Sequence, residues 1–205
     1  MEIKIIKGKE SKVYNFAESW NQLRMNQYME LMNILKEDKS ETERIIDMIY
    51  CLSDIPKEDC WNLTIPQIGQ LGGIVTEFLK TKPNNKLNHY LNIGKVKYGF
   101  HPNLSDITMG EFVDIESYIK DGVNKNLHKI LSVLYRPIIK EEGEKYQIEP
   151  YIPNKDRAEL FKDTLTVGDF NGASVFFLNL GKELLNHSAN SLMQKMGKRK
   201  TLKVD

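Results

Sequence analysis

The stretch Ile107-Thr108-Met109-Gly110-Glu111-Phe112 recurs almost position for position as Leu165-Thr166-Val167-Gly168-Asp169-Phe170, and more loosely as Leu63-Thr64-Ile65-Pro66-Gln67-Ile68. Its chemistry is that of a helix start. Thr is the N-cap, the acid or amide three residues on can return a hydrogen bond to the cap or complement the helix dipole, and the apolar residues on either side close a hydrophobic staple. Each copy therefore predicts a helix beginning just after its Thr. A fourth segment, Leu23-Arg24-Met25-Asn26-Gln27-Tyr28, keeps the apolar, amide and aromatic positions but has Arg24 where the cap should be. That departure predicts an earlier start for its helix, around Ser19. Copies beginning at 23, 63, 107 and 165 are too unevenly spaced for a tight solenoid. Convergent capping is the plainer account of the recurrence, and ancient duplication the alternative.

Outward from these starts, most of the chain has helical texture. Ser40-Glu41-Thr42-Glu43 followed by Ile45, Ile46, Met48, Ile49 and Leu52 predicts a capped helix over about 41–53, interrupted at Ile55-Pro56. Leu127, Ile130, Leu131, Val133 and Leu134 form a wide apolar stripe that Arg136-Pro137 stops, because a residue before proline is pushed out of α geometry. Glu141-Glu142-Gly143-Glu144 reads as a loop, and a further helix is expected near 155–162. Residues 167–185 form the longest apolar segment, expected to be a central buried helix or one that packs on a partner.

Two segments have β texture. Residues 2–14 carry isoleucines and a valine around Lys7-Gly8-Lys9, and over 86–100 apolar and polar residues alternate on both sides of Gly94. Since a lone hairpin is marginal in water, the two are expected to pair with each other or to lie on helices. The fold class is thus mainly α with small β-hairpins (α+β): about seven helices, an N-terminal hairpin and a central hairpin near 86–100. The expected organisation is an N-terminal part over 1–82, a part over 83–190 that continues it or stands apart, and a basic tail over 191–205.

The chain has 205 residues, 29 Lys+Arg against 28 Asp+Glu, and a formal net charge of +1, so no global field selects nucleic acid or an acidic surface. Cys51 and Cys60 fit neither a disulfide framework nor a zinc-knuckle spacing, which points to a reducing, intracellular setting. No segment nears the roughly 18 to 20 apolar residues of a membrane span, and the N-terminus lacks the apolar run of a signal peptide. Neither export nor a membrane partner is expected.

No catalytic or metal arrangement emerges. The four histidines, His89, His101, His128 and His187, are scattered without metal-ligand spacing. His128, beside an apolar stripe, reads as a structural histidine. Glu111, Asp114, Glu116 and Asp121 spread over the polar side of their helix and read as a solvated face. Gly69-Gln70-Leu71-Gly72-Gly73 lacks the context of a phosphate loop and reads as glycines that let helices pack closely. A non-enzymatic protein without cofactor or metal is expected, with an active site assembled from distant residues as the least favoured alternative.

Four segments carry a family resemblance: Ser19-Trp20-Asn21-Gln22-Leu23 with Gln27-Tyr28-Met29-Glu30-Leu31; Leu52-Ser53-Asp54-Ile55-Pro56-Lys57-Glu58; Ile107 to Asp114; and Asn126 to Pro137. In this order the chain resembles tail-assembly-chaperone-like and minor virion morphogenesis proteins of tailed bacteriophages, in particular those of Bacteroidota-type hosts. The resemblance implies a mainly helical, non-catalytic protein that binds phage structural proteins of the tail, neck or capsid, alone or as a homo-oligomer. The implied location is the host cytoplasm during assembly, with the virion as the alternative. It transfers no functional residue, and Arg24 departs from the Thr expected at the first cap.

Apolar side chains that could contact such partners are Trp20, Trp61, Phe176, Phe177, Met193 and Met196, with Phe170 and Leu178 beside them. Lys195, Lys198, Arg199, Lys200 and Lys203 form a basic tail, so a nucleic-acid-associated phage protein is the alternative reading. No aromatic residue follows His187, which leaves that tail without a stacking platform for single strands.

Overall fold

Ser40, Thr64, Thr108 and Thr166 each start a helix, as predicted. The structure, a computed structural model, describes residues 1–7, 10–143 and 145–175. In chain order the elements are β1 (Glu2–Lys7), β2 (Glu10–Asn15), α1 (Met25–Ile34), α2 (Glu41–Leu52), α3 (Lys57–Cys60), α4 (Ile65–Lys80), β3 (Tyr90–Ile93), β4 (Val96–Phe100), α5 (Met109–Lys120), α6 (Val123–Leu134), β5 (Tyr135–Glu142), β6 (Lys145–Ile148), α7 (Lys155–Thr164) and α8, described over 167–175. The architecture is α+β, as expected: helices dominate, with an N-terminal hairpin and a central hairpin.

The capping chemistry is visible atom by atom. The Ser40 hydroxyl oxygen accepts from the Glu43 amide at 3.3 Å, and Glu43 Oε2 accepts from the Ser40 amide at 3.2 Å. Gln67 and Asp169 accept from the backbone of Thr64 and Thr166 at 2.9 and 2.8 Å. At the fourth copy the expectation of an early start fails. Ser19 precedes only a single 3-10 turn, Trp20–Gln22, and α1 begins at Met25. Two things fix that start. Gln27 Oε1 accepts from the Arg24 amide at 3.0 Å, which supplies the return half of the box without a Thr. In addition, residues 23–25 are held extended against residues 165–167: the Met25 amide donates to the Leu165 carbonyl at 2.8 Å, and the Val167 amide to the Leu23 carbonyl at 2.9 Å.

That pairing joins two copies of the recurrent motif as a short antiparallel bridge between Arg24 and Thr166. Leu23, Met25, Leu165 and Val167 are all buried around it. The aromatic residues at the fourth helical position, Tyr28 and Phe170, meet edge to face with ring centroids 5.5 Å apart.

The two expected β pieces do not pair with each other. The β1–β2 hairpin lies against α2 and α3 through a Phe16–Ser53 bridge, an Ala17 to Leu52 hydrogen bond and the Tyr14 hydroxyl donating to Asp59. The central hairpin is extended by β5 and β6 into a four-stranded antiparallel sheet of order β3-β4-β5-β6. Glu141 and Glu142, expected in a loop, instead end β5 in a hairpin with β6, and Gly143 after them has the positive φ of +61° that its turn requires. Pro137 does end α6, and the chain passes straight into β5 at Tyr135. Tyr98 stacks edge to face on Phe161 of α7 and Phe100 on Tyr135, which seats the sheet on the helices.

One cluster of buried residues runs from Phe16 through α1, α2, α4, the sheet, α6 and α7 to Ala173. The extended segment 84–88 straps α8: Asn88 donates to the Gly168 and Asp169 carbonyls, and Asn171 donates to Asn84. A Cβ at Gly172 would stand 2.0 Å from the Lys86 carbonyl oxygen, so only glycine permits this crossing. Of the three glycines in α4 only Gly72 packs closely, its virtual Cβ lying 3.3 Å from Ile45, whereas Gly69 and Gly73 face open space. Phe170 is fully buried and belongs to the core, and the part of the apolar segment beyond 175 lies outside the described residues.

Candidate interaction face

α5 is tied to the rest of the fold through buried polar side chains. Its N-terminus carries a complete capping box, in which the Glu111 amide donates to Thr108 Oγ1 at 3.3 Å while the Thr108 amide donates to Glu111 Oε2 at 2.7 Å. The Glu111 side chain then turns inward. It is 1% exposed, with Oε1 at 2.5 Å from Nη2 of Arg136 and 3.5 Å from Nε2 of His101. Arg136 is the second residue of β5 and His101 follows β4, so the carboxylate fastens the start of α5 to the sheet. A second tie follows one turn later, where the Tyr151 hydroxyl donates to Asp114 while the Arg136 guanidinium stands over the Tyr151 ring.

The sequence reading of these acids changes accordingly. Glu111 is not part of a solvated face. Burial would push its carboxyl up, but the Thr108 hydrogen bonds and the charges of Arg136 and His101 outweigh it, and the group lies below the usual carboxylate range. Asp114 is half-buried, while Glu116 and Asp121 are exposed as expected. Burial lowers His101 below its ordinary value despite the pull of Glu111, and it likewise lowers His128, whose Nε2 lies 3.6 Å from Glu159.

With Glu111, Ile115 and Tyr118 turned inward, the opposite side of α5 carries four exposed apolar side chains around a pair of charged ones. Met109 is 75% exposed, Val113 50% and Phe112 49%, with Ile119 also exposed. At 100° per residue these four lie within about a third of the helix circumference. Glu116 and Lys120 fall on the same side and pair with each other at 3.1 Å. An exposed apolar face of this kind on a helix that is itself firmly anchored marks an interaction site better than scattered apolar residues do.

Family models, curated proteins and solved structures yield no match to this chain.

Of the residues expected to meet partners, Trp20 is a core residue. Its ring lies 4.6 Å from that of Phe78, and its indole N–H donates to the Thr81 carbonyl at 3.2 Å. Trp61, after α3, is exposed, and Ile65, the first residue of α4, is 85% exposed. Phe176, Phe177, Leu178, Met193 and Met196 lie outside the described residues, as do Lys195, Lys198, Arg199, Lys200 and Lys203.

Sequence reasoning missed the α5 face although its signal was present. Met109, Phe112, Val113 and Ile119 fall at helical spacing, but such a stripe normally means core, and only the inward turn of Glu111 reverses the faces. Among the described residues no group of three or more His, Cys, Asp and Glu could hold a metal, and no helix is long and apolar enough to cross a membrane. Cys51 and Cys60 are free and buried, and burial pushes their thiols up to about 12 and about 11, away from nucleophilic reactivity at neutral pH.

Proposed function

We propose that this chain is a non-enzymatic interaction protein of bacteriophage morphogenesis, acting as a tail-assembly-chaperone-like factor or a minor head, neck or tail subunit. The observation that carries the binding role is the uncovered apolar face of α5, held in place by the buried Glu111–Arg136 pair. A helix anchored through buried charges presents its outer face with little ordering cost on binding, which favours recognition. The phage setting rests on the resemblance of four ordered segments, from Ser19 to Pro137.

The partner is a phage structural protein, and the exposed Met109, Phe112 and Val113 would form the buried centre of the contact. Affinity capture from infected cells, followed by mass spectrometry, tests the binding role. Enrichment of a tail, neck or capsid protein supports it, and enrichment of none refutes it. Mass spectrometry of purified virions separates the two forms, since a subunit is present in fixed copy number and a chaperone is absent.

A further inference from the structure

We propose that the copy of the recurrent motif at Ile107–Phe112 pairs with the same copy in a second molecule of this chain, across a two-fold axis, by the bridge that already joins two copies within one molecule. The template is internal. Leu23-Arg24-Met25 and Leu165-Thr166-Val167 exchange two backbone hydrogen bonds, from Met25 to Leu165 and from Val167 to Leu23, at 2.8 and 2.9 Å. This arrangement is close to two-fold symmetric. In each partner the residue after the cap donates, the residue before the cap accepts, and the fourth-position rings of Tyr28 and Phe170 touch.

Burial follows the same division. The residue after the cap is fully buried in both paired copies, Met25 and Val167, and is 85% and 75% exposed in the two unpaired copies, Ile65 and Met109. At the Ile107 copy the Met109 amide and the Ile107 carbonyl make no hydrogen bond among the described residues. Both groups are therefore free to repeat the exchange.

The occupant is a second copy of this chain because an antiparallel bridge of this kind is self-complementary, as a closed two-fold interface requires. In such a pair Thr108 would face Thr108, with no like charges opposed. The Ile107 copy is favoured over the Leu63 copy because its fourth residue is an exposed aromatic, Phe112, the counterpart of Tyr28 and Phe170. In the Leu63 copy that position is Ile68, already half-buried against its own core. The proposal deepens the interaction reading and rests on it only in treating the α5 face as an interface; because Met109 and Phe112 serve both contacts, a phage protein would bind this face in exchange for the second copy. Loss of self-association would leave capture of phage proteins to be judged by its own experiment.

Sedimentation equilibrium of the full chain is the test. The wild type is expected to dimerise with a micromolar dissociation constant. Met109→Pro is the diagnostic variant, because proline is well tolerated at the first helical position, and Thr108 already has the extended geometry (φ −71°, ψ 160°) that a following proline demands. It removes the donating N–H of both chains and should weaken the dimer about tenfold or more, with circular dichroism unchanged. Met109→Ala keeps that N–H and should weaken it less. Residues opposite each other in such a bridge have Cα atoms about 4.5 Å apart, within disulfide reach, so Thr108→Cys should form a disulfide-linked dimer on mild oxidation while Thr64→Cys should not. A wild type that stays monomeric, a dimer indifferent to Met109→Pro, or crosslinking by Thr64→Cys and not by Thr108→Cys would each overturn the proposal.

Discussion

Glu111→Gln isolates the buried charge that positions α5. Glutamine at the third helical position still accepts from the cap amide, as Gln67 and Gln27 do at 2.9 and 3.0 Å, so the capping box survives. What is lost is the negative partner of Arg136, a guanidinium that is 4% exposed and stands 2.5 Å from the carboxylate. Removing one member of a buried ion pair costs about 3–5 kcal/mol, and the retained neutral oxygen places this variant at about 3 kcal/mol. Arg136→Met should cost a similar amount, because it leaves a carboxylate that is 1% exposed facing only His101 and Thr108. The double variant removes both charges, so its cost should fall short of the sum by about 2 kcal/mol or more. Urea unfolding followed by circular dichroism, compared at constant m value, measures all three. A Glu111→Gln loss under about 1 kcal/mol, or single losses that add to within about 0.5 kcal/mol, would refute the claim that this pair anchors α5.

Three further outcomes follow from the same geometry. His101 and His128 both titrate below their ordinary value in the folded chain, so the unfolded state binds more protons as pH falls below about 6.5. Stability present above that pH should decline on acidification, with a second loss below about 4.3 as Glu111 protonates, and a urea midpoint that rises between pH 7.5 and 5.5 would contradict this. Gly172→Ala should destabilise by about 2–3 kcal/mol, because its Cβ meets the Lys86 backbone. Gly73→Ala, in open space on α4, should stabilise by about 0.5–1 kcal/mol, and thermal midpoints decide between the two. Acrylamide should quench Trp61 and spare Trp20, so Trp61→Phe should leave a protected emission; equal quenching of both residues would place Trp20 outside the core.

Where structure is dictated locally, it was legible. Ser40, Thr64, Thr108 and Thr166 each start a helix because a cap and its return partner lie three residues apart, and the strands flanking Gly94 alternate as a half-buried hairpin must. The β5–β6 hairpin was hidden because its far end, Lys140 to Glu142, lies out in solvent and shows no apolar alternation. Its strands exist because β4 offers an edge at Tyr98 to Phe100, which is a tertiary fact. The start of α1 was misplaced for the same reason, since its extended entry is fixed by residues some 140 positions away. In sequence Glu111 reads as solvated because its spacing among acids cannot reveal Arg136, which reaches it from another element. The recurrent motif reads in sequence as a capping device, and only the fold shows that two of its copies also pair.

Capture of phage structural proteins by the wild-type chain and by Phe112→Asp, side by side from infected cells, tests the interaction face most directly. Phe112 is exposed, so the variant should fold with an unchanged thermal midpoint. The face described here predicts that the wild type enriches a tail, neck or capsid protein and that Phe112→Asp loses it. Equal enrichment by both chains would contradict the assignment of the α5 face.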